Sequence, residues 1–319
     1  MILGRRNTLI MGDKSMKEID IGKSGLTASA LGIGCMRISE LSVKETEALI
    51  DTALGAGINL FDHADLYSGG VCEELFGKVL AHRPDLREKM ILQSKCGIRE
   101  GYYDLSKEYI LTSVDEILGR LKTDYLDLFL LHRPDALMEP EEIGEAFEQL
   151  YRSGKVRGFG VSNMNPAQIE LLQSATGHRL LVNQMQFSLA CSGMVDSGIH
   201  VNVPANRDSR DSSVLEYCRL KHITIQTWSP LQYGLFEGVF LGSEKYPDLN
   251  AKLDSLAEKY GAEPTAIAIA WILRHPAGMQ VLTGSKSCRR ILQMAAAARI
   301  NLTREEWYAL YRAAGNVLP

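Results

Sequence analysis

The chain has 319 residues, of which 45% are hydrophobic and 23% are charged, and its formal net charge at pH 7 is −4. This composition excludes disordered and fibrous proteins, and the negative balance argues against a nucleic-acid partner. No apolar run reaches the roughly 20 residues that span a bilayer, and the six scattered cysteines indicate reduced thiols, so we expect a cytoplasmic protein without membrane contact.

The first fifteen residues precede any periodic pattern. Their apolar patch is too short for the core of a secretory signal, so we interpret residues 1–15 as a loose, disordered leader. Residues 16–29 then alternate polar and apolar side chains around a Gly-Lys-Ser-Gly turn, which predicts a β-hairpin that closes one end of the fold. We expect residues 16–319 to form a single domain.

Beyond the hairpin, short apolar runs alternate with segments whose apolar residues recur at helical spacing, a pattern typical of parallel βαβ units. The predicted strands are residues 31–34, 59–62, 90–95, 125–132, 156–162, 183–187, 224–229 and 279–283. The predicted helices that follow them are residues 42–56, 71–81, 107–119, 141–153, 166–175, 213–221, 264–275 and 288–298. Ser42 and Glu45 have the spacing of a capping box, and Gly57 is expected to stop the first helix.

Eight strand and helix pairs favour a closed (β/α)8 TIM barrel over an open doubly wound sheet, which usually has about five or six strands. Three segments lie outside the repeat. Residues 191–212 form a long polar loop, which we predict to be a lid or a wall of the substrate pocket, because long loops after barrel strands lie at the active-site face. Residues 249–260 and 303–314 are predicted to be additional C-terminal helices.

Titratable side chains stand where neighbouring predicted strands end. Asp62 ends the second strand and Tyr67 follows it, Lys95 ends the third strand, and His132 ends the fourth. Because the carboxyl ends of barrel strands share one rim, we expect these four side chains to converge there. Each of them taken singly has an ordinary structural explanation, whereas the four together predict a catalytic site.

The chemistry of the four groups is complementary. A phenol with a pKa near 10 is a weak acid at neutral pH, and a cation about 4 Å away supplies on the order of 4 kcal/mol at a dielectric of 20. Lys95 is therefore expected to lower the pKa of Tyr67 by about three units, towards 7. Asp62 would hold and charge Lys95, and a neutral His132 would donate a hydrogen bond to a substrate carbonyl.

Six passages of the chain, taken in order, resemble the aldo-keto reductase superfamily. They are residues 61–77 (FDHADLYSGGVCEELFG), 91–95 (ILQSK), 125–134 (YLDLFLLHRP), 154–163 (GKVRGFGVSN), 183–187 (NQMQF) and 227–231 (TWSPL). The resemblance implies that Asp62, Tyr67, Lys95 and His132 form the catalytic tetrad of an oxidoreductase that reduces the carbonyl group of a small molecule to an alcohol.

The resemblance also implies an NADP(H) site across the barrel mouth, without a Rossmann domain. Ser162, Asn163 and Gln184 would hold the nicotinamide carboxamide, and Trp228 would stack on the ring. The other cofactor contacts implied are Met36, Arg37, Ser229, Leu231, Gly284, Ser285, Lys286 and Arg290. Lys286 and Arg290 beside a helix N-terminus form an anion site, which favours NADP over NAD.

The chain departs from the family pattern in its adenine segment. Gln293 and Met294 stand where Glu-Asn is frequent, which removes an expected hydrogen bond to the adenine. An alternative function is therefore a catalytically slow NADP(H)-binding sensor or auxiliary subunit of a larger assembly. A metal-dependent hydrolase on a barrel would need clustered His and Asp ligands, whereas the rim offers only His132 and Asp62, and we expect no bound metal.

Overall fold

Parallel strands close into a barrel in the computed structural model, which describes residues 16–201 and 213–319. The barrel strands within these ranges are β1 (Leu31–Gly34), β2 (Leu60–Asp62), β3 (Ile91–Cys96), β4 (Leu128–Leu131), β5 (Phe159–Ser162), β6 (Leu180–Gln186), β7 (Thr224–Trp228) and β8 (Gln280–Thr283). They pair in chain order, and β8 pairs with β1 to close the ring. The predicted (β/α)8 barrel is confirmed.

Helices surround the barrel. In the described part of the chain they are α1 (Val43–Gly55), α2 (Val71–His82), α3 (Lys107–Leu121), α4 (Pro140–Arg152), α5 (Pro166–Ala175), α6 (Gly193–Ile199), α7 (Val214–Lys221), α8 (Pro247–Tyr260), α9 (Pro264–Leu273), α10 (Cys288–Ala295) and α11 (Arg304–Ala313). The predicted capping box of α1 is present, because Ser42 Oγ accepts from the Glu45 amide and the Glu45 carboxylate accepts from the Ser42 amide. The two predicted C-terminal helices correspond to α8 and α11.

The N-terminal hairpin closes one end of the barrel. Its strands, Glu18–Asp20 and Thr27–Ser29, pair in antiparallel fashion, and Ile21 between them packs into a fully buried cluster with barrel residues such as Leu60 and Leu128. Gly22 has a φ of 59°, and a Cβ at this position would lie 2.9 Å from Leu181, so only glycine allows this close approach. The hairpin thus fills the N-terminal end and leaves the C-terminal end of the strands for a site.

Some features of the structure differ from the sequence-based expectations. The loop predicted at residues 191–212 contains α6, while residues 202–212 and the predicted leader at 1–15 lie outside the described residues. Two small hairpins, Ile98–Arg99 with Tyr102–Tyr103 and Gln232–Tyr233 with Gly238–Val239, were not predicted. Over the described ranges, the helices are all too short or too polar to cross a bilayer.

Candidate active site

The four predicted catalytic side chains meet at the C-terminal end of the barrel. Asp62 is the last residue of β2, Lys95 is the penultimate residue of β3, and His132 directly follows β4. Tyr67 begins a 3-10 turn between β2 and α2. The structure therefore brings together side chains from three adjacent strands, as the strand-end pattern predicts.

The turn that carries Tyr67 has an unusual backbone. Ser68, Gly69 and Gly70 all have positive φ angles, of 51°, 62° and 91°. A Cβ at Gly70 would lie 2.8 Å from Cδ of Arg120, whose side chain packs beneath the turn. Only glycine tolerates both this φ angle and so close a neighbour. Gly70 therefore allows the turn to pack against Arg120 of α3, and the turn keeps Tyr67 at the rim.

Asp62 and Lys95 form a buried ion pair. Lys95 Nζ donates to both carboxylate oxygens of Asp62, at 2.7 and 2.8 Å, and to the backbone carbonyl of His63 at 2.6 Å. Lys95 is fully buried, which opposes its charge, yet the negative charge of Asp62 raises the pKa of Lys95 above its usual value. The pair places a permanent cation beneath the rim, as predicted.

Tyr67 lies above this cation. Lys95 Nζ is 5.1 Å from the centroid of the Tyr67 ring. Burial raises the pKa of Tyr67 to about 12, although the charge of Lys95 lowers it. The expected shift towards 7 is therefore wrong: desolvation of the phenolate outweighs the attraction of a cation that Asp62 already neutralises. Tyr67 consequently stays protonated at neutral pH, which is the form that a proton donor needs.

His132 faces the same space from the neighbouring strand. Its ring centroid lies 6.1 Å from that of Tyr67, with the ring planes at 82°. Burial and the nearby charge of Lys95 hold the pKa of His132 well below its usual value, so the ring is neutral. Nδ1 is buried and has no hydrogen-bond partner among the described residues, which leaves Nε2 as the nitrogen that can bond a molecule in the cleft.

A cleft of about 780 Å³ opens above these residues. Asp62, Tyr67 and His132 line its floor, while Lys95 lies buried beneath them. Each residue predicted to contact a cofactor also lines the cleft: Met36, Arg37, Ser162, Asn163, Gln184, Trp228, Ser229, Leu231, Gly284, Ser285, Lys286 and Arg290. The sequence motifs, which are scattered over most of the chain, thus form one continuous surface.

One end of the cleft combines amides with an aromatic ring. Trp228 Nε1 donates to Asn163 Oδ1 at 3.2 Å, and Asn163 Nδ2 donates to Ser162 Oγ at 2.7 Å. Asn163 and Ser229 both have positive φ angles, of 58° and 51°, at the points where β5 and β7 end. Backbone in this region costs on the order of 1–3 kcal/mol per residue and clusters at ligand sites, so this end is shaped for a ligand.

The segment around the start of α10 adds two cations to the cleft. Ser287 caps α10 by accepting a hydrogen bond from the Arg290 amide at 3.4 Å, and Lys286 pairs with Glu40. Lys286 lowers the pKa of Glu40, so the carboxylate is charged and competes for this lysine. Lys286, exposed Arg290 and the start of α10 offer donors to an anionic group.

The sequence did not identify Arg133 and Phe236 as residues of the cleft. The Arg133 guanidinium lies 5.8 Å from the Trp228 ring centroid, and the exposed Phe236 ring stacks on Trp228 with centroids 5.8 Å apart. Phe236 belongs to the small hairpin at residues 232–239, whose glycines at 234 and 238 were the only turn signal in the sequence. Arg133 had no signal beyond its position next to His132.

Comparisons with known proteins agree with this geometry. The family model described as aldo/keto reductase family matches residues 30–314. The 6-dehydroglucose reductase of Agrobacterium fabrum is 35% identical over 300 residues, which cover 90% of this chain and 94% of that protein. A thermostable aldo-keto reductase solved with the inhibitor epalrestat has a TM-score of 0.76 at 27% identity, covering 93% of this chain and all of that one. An aldo-keto reductase from Klebsiella pneumoniae, solved with NADPH, has a TM-score of 0.75 at 26% identity, covering 93% and 94%.

Proposed function

Because the chain belongs to the aldo/keto reductase family, we propose that it reduces an aldehyde or ketone to an alcohol with NADPH, using Tyr67 as the general acid. The observation that carries the proposal is the buried Asp62–Lys95 pair beneath a protonated Tyr67, with neutral His132 beside it in the same cleft. This arrangement provides a proton donor, a charge that stabilises its conjugate base, and a donor for the carbonyl oxygen.

The cleft suits a nicotinamide dinucleotide phosphate. Trp228 offers an aromatic face and bonds Asn163, and Gln184 lines the same cleft, whereas Lys286 and Arg290 lie near the start of α10. Ser229, which also lines the cleft, has a positive φ angle where β7 ends. The Klebsiella relative solved with NADPH supports the same assignment. When bound, NADPH supplies a hydride to the substrate carbon.

Residues of the chain orient the carbonyl, donate the proton and stabilise the charge that remains. His132 donates a hydrogen bond from Nε2 to the carbonyl oxygen and so orients the carbonyl. As negative charge develops on that oxygen, the Tyr67 hydroxyl transfers its proton to it, and the product is the alcohol. Lys95 stabilises the phenolate that remains, and Asp62 keeps Lys95 charged and in place. Solvent then returns a proton to Tyr67.

The A. fabrum relative is named for a sugar aldehyde, which makes sugar aldehydes the first substrates to examine. The cleft agrees with a substrate that has polar groups and a flat or apolar part, because Arg133 and Phe236 both line it. We further propose that residues 16–319 act as one domain and that the protein works in the cytoplasm.

The test is the oxidation of NADPH by the purified protein with a panel of sugar, aliphatic and aromatic aldehydes. With NADPH deuterated at C4 of the nicotinamide, the proposal predicts an alcohol that carries deuterium on the former carbonyl carbon. A protein that binds NADPH tightly, transfers no label to any substrate of the panel and co-purifies with a large partner would instead be the auxiliary subunit considered above.

A further inference from the structure

Buried glutamines form a hydrogen-bonded chain inside the barrel, directly below Asp62. Gln93 lies on β3, Gln226 on β7 and Gln280 on β8, and all three are fully buried. Gln93 Nε2 donates to Asp62 Oδ1 at 2.6 Å and to Gln226 Oε1 at 2.8 Å. Gln226 Nε2 donates back to Gln93 Oε1 at 2.9 Å and on to Gln280 Oε1 at 2.8 Å.

The far end of this chain sets its direction. Gln280 Nε2 donates to the backbone carbonyl of Ser29 at 2.6 Å, and a carbonyl oxygen can only accept. Gln280 must therefore turn its own oxygen towards Gln226, which must turn its NH2 group towards Gln280. Gln226 Oε1 is then left to accept from Gln93, so the NH2 group of Gln93 faces Asp62. The bond to the N-terminal hairpin and the acceptor oxygen of Asp62 thus favour the same orientation of the glutamine chain.

Asp62 consequently meets only donors. Its Oδ1 atom accepts from Lys95 at 2.7 Å, from Gln93 at 2.6 Å and from Gln184 at 3.2 Å, and its Oδ2 atom accepts from Lys95 at 2.8 Å. Hydrogen bonds that reach the carboxylate from several directions fix its orientation. Gln93 makes one of the shortest of these bonds although it does not line the cleft.

We propose that Gln93 is a positioning residue: its amide holds the Asp62 carboxylate in a single orientation, and thereby holds Lys95 against Tyr67 during proton transfer. The proposal rests on the proposed reduction. Gln93 does not line the cleft, and its direct contact with the four catalytic residues is the bond to Asp62.

The experiment compares Gln93→Met with Gln280→Met. Methionine preserves side-chain length and lacks the amide. Gln280→Met damages the same buried chain at its far end, while Gln93 keeps its bonds to Gln226 and to the acceptor oxygen of Asp62. Steady-state reduction of the best aldehyde of the panel is measured at neutral pH, along with NADPH binding and urea unfolding. We expect Gln93→Met to lower kcat about tenfold, the equivalent of one charge-assisted hydrogen bond.

KM and the NADPH dissociation constant should stay within about twofold, because Gln93 lines no part of the cleft. Gln280→Met should keep kcat within about threefold despite a similar loss of stability. Wild-type kcat in Gln93→Met would overturn the proposal, as would kcat losses that follow stability equally in both variants. Failure of the wild type to reduce any aldehyde would instead refute the proposed function.

Discussion

Lys95→Met separates the two roles of the buried cation. In the folded protein Lys95 compensates the carboxylate of Asp62, and in the proposed reaction it stabilises the phenolate of Tyr67. Its removal leaves Asp62 buried without a counter-charge, which typically costs about 3–5 kcal/mol of unfolding free energy. The double variant Asp62→Asn with Lys95→Met removes both charges, so most of this stability should return.

The effect on the reaction follows from the distance. Lys95 Nζ is 5.1 Å from the Tyr67 ring centroid, so Coulomb's law at a dielectric of 20 gives an attraction to the phenolate of about 3 kcal/mol. If half of this energy is developed in the transition state, kcat falls about 15-fold, and if all of it is developed, about 250-fold. In the wild type, the carboxylate of Asp62 offsets part of the attraction between Lys95 and the phenolate. We therefore expect the kcat of the double variant to fall by a factor nearer to about 15 than to about 250.

The assay combines urea unfolding with single-turnover reduction at saturating NADPH. We expect Lys95→Met to be both unstable and slow, and the double variant to be stable and slow. A double variant that recovers both stability and a rate within threefold of the wild type would refute the reasoning, because Lys95 would then serve the fold alone.

Two further predictions concern a buried histidine next to Asp62 and the cations near the start of α10. Burial lowers the pKa of His63 to about 3, so the unfolded protein takes up a proton on this residue at a higher pH than the folded protein does. The free energy of unfolding should therefore fall by up to about 5 kcal/mol as the pH drops from about 6.5 to about 3. Urea midpoints of His63→Leu should decline less steeply with falling pH than those of the wild type, and parallel declines of the two proteins would contradict this. Lys286→Ala and Arg290→Ala should each weaken NADPH binding about tenfold and leave the affinity for NADH unchanged. Glu40→Gln should tighten NADPH binding, because it frees Lys286 from its ion pair. Equal affinity of the wild type for NADPH and NADH in a fluorescence titration would contradict the phosphate site.

Much of the architecture can be predicted from sequence because it rests on local signals. The alternation of strand and helix patterns, the capping box at Ser42 and the turn before Thr27 each depend on residues close together in the chain. Since all barrel strands end at one rim, the positions of Asp62, Lys95 and His132 at strand ends were enough to predict that they meet.

The features that were missed depend on three-dimensional surroundings. The pKa of Tyr67 rises because desolvation exceeds the effect of Lys95, and the spacing of residues says nothing about how much water reaches a phenol. Gln93 and Gln226 are 133 residues apart and look like unremarkable polar residues within apolar strands, so only the closed barrel reveals their amide pair. The hairpin that carries Phe236 has strands of two residues, too short for any periodic pattern.

The most direct test of the account is the rate of hydride transfer in Tyr67→Phe. Phenylalanine keeps the ring that packs between Lys95 and His132 and removes only the hydroxyl group that carries the proton. Single-turnover oxidation of NADPH by the best aldehyde should slow at least about a hundredfold, the contribution expected of a general acid, while the NADPH dissociation constant stays within about twofold. Reduction by Tyr67→Phe at the wild-type rate would contradict the assignment of Tyr67 as the proton donor.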